Sequence, residues 1–296
     1  MRDGGILGIL VALLVLGLLF GLLERIFGPR AGPPWWMRPG TRTDVAWWVI
    51  TPLLTRTITG VVIGAGLVLA VLLARGDVST LKSEIAAGRF PDVSVLGLGA
   101  HVRAWPFAVQ LLAGLFVADL GAYASHRAFH GRRLWRFHAV HHSSERLDWL
   151  ASVRVHPVNE ILGRPIAAFP LLLLGFEPRV FVLVAPFTTL YALLLHADVT
   201  WDFGPLRRVI ASPAFHRWHH AADREALDTN FAGLFPVIDL AFGTFHLPRG
   251  RLPERLGVSG DPVPAGILAQ LAWPFRWARA SGTAPLGVPA DGTPAT

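Results

Sequence analysis

Two uncharged apolar runs of 18 residues, Ile6–Leu23 and Thr57–Ala74, limit what this chain can fold into. Each is close to the roughly 20 residues that cross bilayer hydrocarbon as a helix. In that medium every backbone N–H and C=O must find a partner within the segment, so helices follow. A third run, Ala104–Ser125, carries a single acid, Asp119. Two shorter arms, Val158–Leu174 and Val180–Leu195, flank the turn Gly175-Phe176-Glu177-Pro178 and fit either a tight hairpin or a re-entrant dip. Composition agrees, since 52% hydrophobic and 16% charged residues are too apolar for an ordinary soluble fold. Ile6–Leu23 reads as a retained anchor, because Glu24-Arg25-Ile26-Phe27 is no small-residue cleavage site. Trp35-Trp36 and Trp47-Trp48 fit an interfacial belt.

The net charge of +7 is read as basic loops facing an anionic leaflet rather than as a nucleic-acid surface. Placing Arg25–Arg56 and the histidine-bearing segments on the cytoplasmic side leaves only Arg2, Arg75, Lys82, Arg89, Arg103 and Arg179 opposite. That is 6 of 27 basic residues, a clear positive-inside bias.

Eight of the 12 histidines fall in three clusters. His126 and His130 are spaced i,i+4; His138, His141 and His142 repeat as His216, His219 and His220, spaced i,i+3 and i,i+4. On helices each set shares one face. A lone histidine is usually an ordinary hydrogen-bonded residue, but this patterning is that of metal ligands. The chain has no cysteine, which excludes disulfides, thiolate ligands and a cysteine nucleophile. Neither a Glu-x-x-His motif nor His-Glu-x-x-His is present, so an all-nitrogen two-metal site remains. Asp119 lies two helical turns before His126 on the same side and is expected to support a ligand ring from behind.

His126-Arg-x-x-His130, His138-x-x-His141-His142 and His216-x-x-His219-His220 resemble the three histidine boxes of the fatty acid hydroxylase / sterol desaturase superfamily. Asp119 with Tyr123, Arg154-Val-His156-Pro157, His196-Ala-Asp198, Pro213-x-x-His216, Asp228-Thr-Asn230-Phe231 and Phe242-Gly243-Thr244 resemble its flanking segments, over roughly residues 105–248. The resemblance implies an integral-membrane oxidoreductase with two iron ions that uses O2 to hydroxylate or desaturate a lipid such as a sterol, hopanoid or fatty acyl chain. It carries metal ligation onto His126, His130, His138, His141, His142, His196, His216, His219 and His220. His156 is a tenth position whose proline neighbour equally suits a helix start. The electron donor is then a separate protein of ferredoxin or cytochrome type, since no haem or cluster motif is present. Arg127, Arg132, Arg133 and Arg136 fit leaflet contact or the docking of such a donor. Asp148 and Asp198 depart from the family's asparagines, as Ala232 and Ile238 do from its usual Gly and Trp.

The expected fold is all-α, about three spans plus a hairpin, with a cytoplasmic helical cap holding the dimetal site in a bacterial-type inner membrane. Residues 1–103 are the anchor, 104–248 the catalytic domain and 249–296 an extension, disordered from about 281. Two rivals stay open at this point. One is a zinc-dependent membrane hydrolase with Glu145 or Glu160 as base. The other is a non-catalytic metal-handling membrane protein.

Overall fold

A computed structural model describes residues 4–29, 34–87, 93–94, 98–258 and 263–280. It is helical, with no strand among the described residues beyond one isolated bridge between Ala221 and Leu256. Helices α1 (Gly4–Phe27), α2 (Thr41–Arg75), α3 (Leu81–Ala86), α4 (Leu98–Ala104), α5 (Phe107–Phe129), α6 (Trp135–His142), α7 (Pro157–Leu174), α8 (Pro178–His196), α9 (Pro213–His219), α10 (Val237–Phe242) and α11 (Ile267–Ala280) follow in order. Five of them, α1, α2, α5, α7 and α8, are long and apolar enough to cross a membrane. This is a membrane protein. Leu14, Leu18 and Leu73 stand 64%, 68% and 80% exposed, as side chains facing lipid should. The expected tail disorder from 281 lies outside the described residues.

The helix ends follow local chemistry. Pro157 opens α7, and the His156 ring accepts the Val158 N–H at its start. Gly175 ends it at φ 79°, a left-handed position that glycine takes without strain. Pro178 opens α8 three residues later, so the two arms form a tight hairpin between full-length helices. Ser212 accepts the Phe215 N–H and Pro213 starts α9, which is why a proline stands three residues before His216.

Two sequence expectations change. Helix α2 begins at Thr41, sixteen residues before the apolar run, and passes through Pro52 without ending. Its first turns pack on the rest of the protein. Trp47 is therefore no belt residue: it is fully buried, packs with Ala139, Val140 and Trp273, and donates its indole N–H to Gln270 at 2.7 Å. Helix α11, from the C-terminal extension, covers this cluster.

Small residues let α5 and α7 touch. A Cβ on Gly121 would sit 2.5 Å from the Ile166 carbonyl oxygen and 2.9 Å from the Ala167 Cα. Backbone cannot step aside as a side chain can. Gly121→Val is expected to cost roughly 1–3 kcal/mol or more, seen as a lower unfolding temperature in detergent. An unchanged temperature would mean that the two helices are not in contact.

Candidate metal centre

Helix α5 brings His126 and His130 to its C-terminal end, α6 carries His138, His141 and His142, α8 ends on His196, and α9 with its cap carries His216, His219 and His220. Their ring nitrogens form two groups, each with every member within 4.8 Å of the others. The first holds His126, His130, His138, His142 and His219; the second holds His141, His196, His216 and His220. All nine residues singled out by the boxes and the hairpin return meet here. His156 does not join them: it is the N-cap of α7, with Nε2 facing the Leu271 carbonyl at 3.3 Å. Neither Glu145 nor Glu160 belongs to either group.

Hydrogen bonds at the outer nitrogen fix the tautomers. Nδ1–H of His126 donates to the Phe231 carbonyl at 2.8 Å, His141 to Arg154 at 3.2 Å, His196 to Ala192 at 2.8 Å and His219 to Thr229 at 2.8 Å. Each of these partners is a carbonyl that can only accept. His138 donates to the Asn159 side-chain oxygen at 2.7 Å and His130 to Asp228 at 3.0 Å. A neutral ring with Nδ1–H presents a bare lone pair at Nε2. Yet the Nε2 atoms of His126 and His138 face each other at 2.9 Å, and those of His141 and His196 at 3.3 Å. Two lone pairs at such distances repel. The Nε2 atoms of His130, His142 and His219 are buried without any hydrogen-bond partner.

Protonation is not the remedy. Burial, reinforced by neighbouring imidazoles, pushes His138, His142 and His220 well below the ordinary histidine range. A cation inside each nitrogen group would give the converging Nε2 lone pairs a shared partner. The donor set of neutral imidazoles suits iron, zinc, copper or nickel.

Asp119 behaves differently from the expectation. Its carboxylate touches no histidine and instead accepts the backbone N–H groups of Gly233, Leu234 and Phe235 at 2.7–3.1 Å. Asp239 accepts from Phe231 and Ala232, which immediately precede Gly233, and Asn230, at φ 59°, ties Phe215 to His246. Together these side chains clamp the loop whose Phe231 carbonyl orients His126. Asp119 thus acts on the loop, one step removed from the ring. His246 is half-buried edge-on to Trp218 and lies outside both groups.

Sequence reasoning missed Asn159 and Asp228 as ring partners, although Asn159 follows the Arg-x-His-Pro segment and Asp228 lies in the Asp-x-Asn-Phe motif. Asn159→Leu is expected to weaken metal binding by about 10–100-fold, because the His138 ring loses its outer anchor. Metal retention during chelator dialysis measures this, and wild-type retention would show that the ring needs no such support.

A further cluster surrounds Asp148 and Asp198. Arg38 reaches Asp148 at 3.1 Å, Asp198 at 3.0 Å and Glu24 at 3.8 Å, and Arg217 meets Asp198 at 2.8 Å. The loop between α1 and α2 is thereby fastened to segments beside His196 and His216.

Below the centre, between α2, α5, α7 and α8, lies a cavity of about 770 Å³ with a predominantly apolar lining. Ala122, one turn before His126, Val155, which follows Arg154, and Ala192, which orients His196, line it. Pro178 and Phe181 line it near the α7–α8 turn. That size lies within the roughly 300–1,000 Å³ of small-molecule pockets.

With this geometry in view, comparison with known proteins is informative. Residues 111–244 match the fatty acid hydroxylase family. Through that stretch the chain is similar to the fatty acid hydroxylase / sterol desaturase superfamily. It is 38% identical over 172 residues to an ornithine lipid hydroxylase from Rhizobium tropici, covering 58% of this chain and 52% of that protein. An alkylglycerol monooxygenase from Danio rerio is 35% identical over 177 residues, 60% of this chain and 38% of its own length. A very-long-chain aldehyde decarbonylase from Oryza sativa is 25% identical over 179 residues, 55% of this chain and 28% of its own. The chain spans about half or less of the length of these curated relatives. No solved structure matches it. The matched stretch holds the three boxes and the hairpin return, all of which contribute to the two nitrogen groups.

Proposed function

We propose that this chain is an integral-membrane, O2-dependent oxidoreductase that inserts oxygen into, or desaturates, a C–H bond of a polar membrane lipid, using two irons. The observation that carries this reading is the pair of nitrogen groups whose pinned rings turn bare Nε2 lone pairs toward one another. His126, His130, His138, His142 and His219 would hold one ion, and His141, His196, His216 and His220 the other. When bound, the irons supply the oxygen activation that no side chain here can provide. For hydroxylation the balance is R–H + O2 + 2 electrons + 2 protons giving R–OH + H2O, the electrons coming from a separate ferredoxin- or cytochrome-type donor.

The chain's own residues do the rest. Carbonyls of Phe231, Arg154, Ala192 and Thr229 hold the rings in one tautomer, so ligand geometry is set before any substrate arrives. The apolar cavity excludes water and admits lipid from the bilayer side. Residues 104–248 form the catalytic unit, residues 1–103 anchor and brace it, and residues 249–296 extend it. The centre faces the cytoplasm of a bacterial-type inner membrane, in line with the distribution of basic residues. The names of the relatives favour a lipid with a polar head, amino-acid or ether type.

The test is product analysis. Detergent-purified protein from iron-supplemented cells is supplied with a reducing system, membrane lipid and 18O2. The expected outcome is an 18O-labelled lipid, or a lipid two hydrogens lighter, formed only with O2 and reductant. Lipid cleavage that proceeds without O2, by protein holding zinc and no iron, would replace this reading with the hydrolase.

A further inference from the structure

The cavity lining contains two charged side chains, and they have opposite sign. Glu160 and Arg164 stand one turn apart on α7 and form an ion pair through Glu160 Oε2 and Arg164 Nε. Among the described residues neither has another hydrogen-bonding partner. The Arg164 side chain is 53% exposed and that of Glu160 15%, so the guanidinium in particular retains accessible donors. Charged groups within a membrane helix are costly and mark substrate sites by default. A structural ion pair on the lipid-facing surface would serve solubility poorly, whereas one lining a cavity can exchange partners with a ligand.

Their position in the fold is as informative as their charge. Glu160 lies on the first turn of α7, next to Asn159, which holds the His138 ring. Arg164 is one turn further, about 6 Å along the axis. The cavity walls from Ala167 to Leu172 and at Pro178, Phe181 and Val182 are wholly apolar. The polar end of the cavity is thus the metal end. A further hydroxyl, Thr59 Oγ1, lines the same cavity, buried and without a hydrogen-bond partner.

We propose that Glu160 and Arg164 are a head-group subsite for a lipid carrying both an ammonium and an anionic group, and that they hold the head end of this lipid, rather than its tail, at the metal centre. This rests on the reading of the chain as a lipid oxidoreductase and specifies its substrate. The lipid ammonium takes the Glu160 carboxylate, and the lipid carboxylate or phosphate takes the Arg164 fork. Each charge then keeps a partner throughout, so binding exchanges two ion pairs without stranding either side chain. The tails run toward the α7–α8 turn. A neutral alkylglycerol would leave the pair closed, and a purely anionic lipid would leave Glu160 facing like charge.

Native mass spectrometry of the full chain decides this. The protein is presented with an equimolar mixture of phosphatidylethanolamine, an N-acylated ornithine lipid, phosphatidylglycerol and monoalkylglycerol. Either zwitterionic lipid is expected to be retained about tenfold over the other two, and the favoured one tells phosphate from carboxylate. Glu160→Gln should reduce that retention to the level of phosphatidylglycerol, Arg164→Gln should abolish the preference, and Arg164→Lys should keep most of it. Fragmentation of the enzymatic product should place the new oxygen on the head or at the first carbons beside it. Equal retention of monoalkylglycerol by the unsubstituted chain overturns the proposal, whatever the variants do, as does unchanged selectivity in folded Glu160→Gln and Arg164→Gln. Iron content is measured on the same samples. Selectivity absent with iron retained removes the head-group subsite alone, whereas selectivity present in a chain that never binds iron removes the oxidoreductase reading.

Discussion

Replacing His216 with alanine is expected to reduce iron from about two ions per chain to about one and to lower lipid oxidation by more than about a hundredfold. The two nitrogen groups share no residue, and the backbone joins them directly at two places, His141–His142 and His219–His220. His216 is central to its own group, with Nε2 at 3.2 Å from that of His196 and 3.1 Å from that of His220. Removing it leaves three nitrogens where four converged, while the other group keeps all five. The matching change there, His219→Ala, should give the same loss of turnover with the opposite ion retained. Iron counted against protein, together with Mössbauer spectra of the two half-loaded variants, distinguishes the sites. Two irons retained in His216→Ala would sink the assignment of the second group.

Arg38→Ala should be the most damaging substitution away from the histidines. Arg38 stands between Asp148, Asp198 and Glu24, and the side chains of Arg38, Asp148 and Glu24 are at most 10% exposed. Without the guanidinium, Glu24 and Asp148 lose their basic partner, and Asp198 keeps only Arg217. Stranding buried carboxylates in this way costs about 3–5 kcal/mol, enough to unfold many domains of ordinary stability. Unfolding in detergent should shift down by many degrees. Adding Asp148→Asn and Asp198→Asn to Arg38→Met should recover most of that loss, because the replaced network then carries less uncompensated charge. Recovery failing while each chain still inserts would show that Arg38 matters through packing and not through charge.

Much of this was legible in the residues. Uncharged runs announced the spans, histidine spacing announced eight of the nine side chains that converge in space, and the family resemblance added His196. What escaped was carried by atoms without sequence identity. The carbonyls of Phe231, Arg154, Ala192 and Thr229 set the ring tautomers, yet a carbonyl is common to every residue, so no motif can point to it. Asp119 was recognised as important from its depth in the membrane and given the wrong partner. Helical periodicity placed it on the face of His126 but could not foresee that the loop 233–235 would fold back onto that face. The early start of α2 was hidden by Thr41, Arg42 and Asp44, polar residues that look like a loop. Asp44 in fact pairs with buried Arg154 at 2.6 Å. Nor could Trp47 be told from a belt residue until α11 was seen to cover it.

The opposed lone pairs also bear on how the protein comes into being. Membrane helices can insert on composition alone, but α6, α8 and α9 bring together nitrogens that repel when bare. Insertion is therefore expected to precede closure of the cap, and closure to wait for the ion, as it does wherever ligands converge only on binding. The supply of that ion is then expected to govern how many copies are completed, not merely how fast each one works. In starved cells the shortage should first be visible as proteolysed, half-assembled protein.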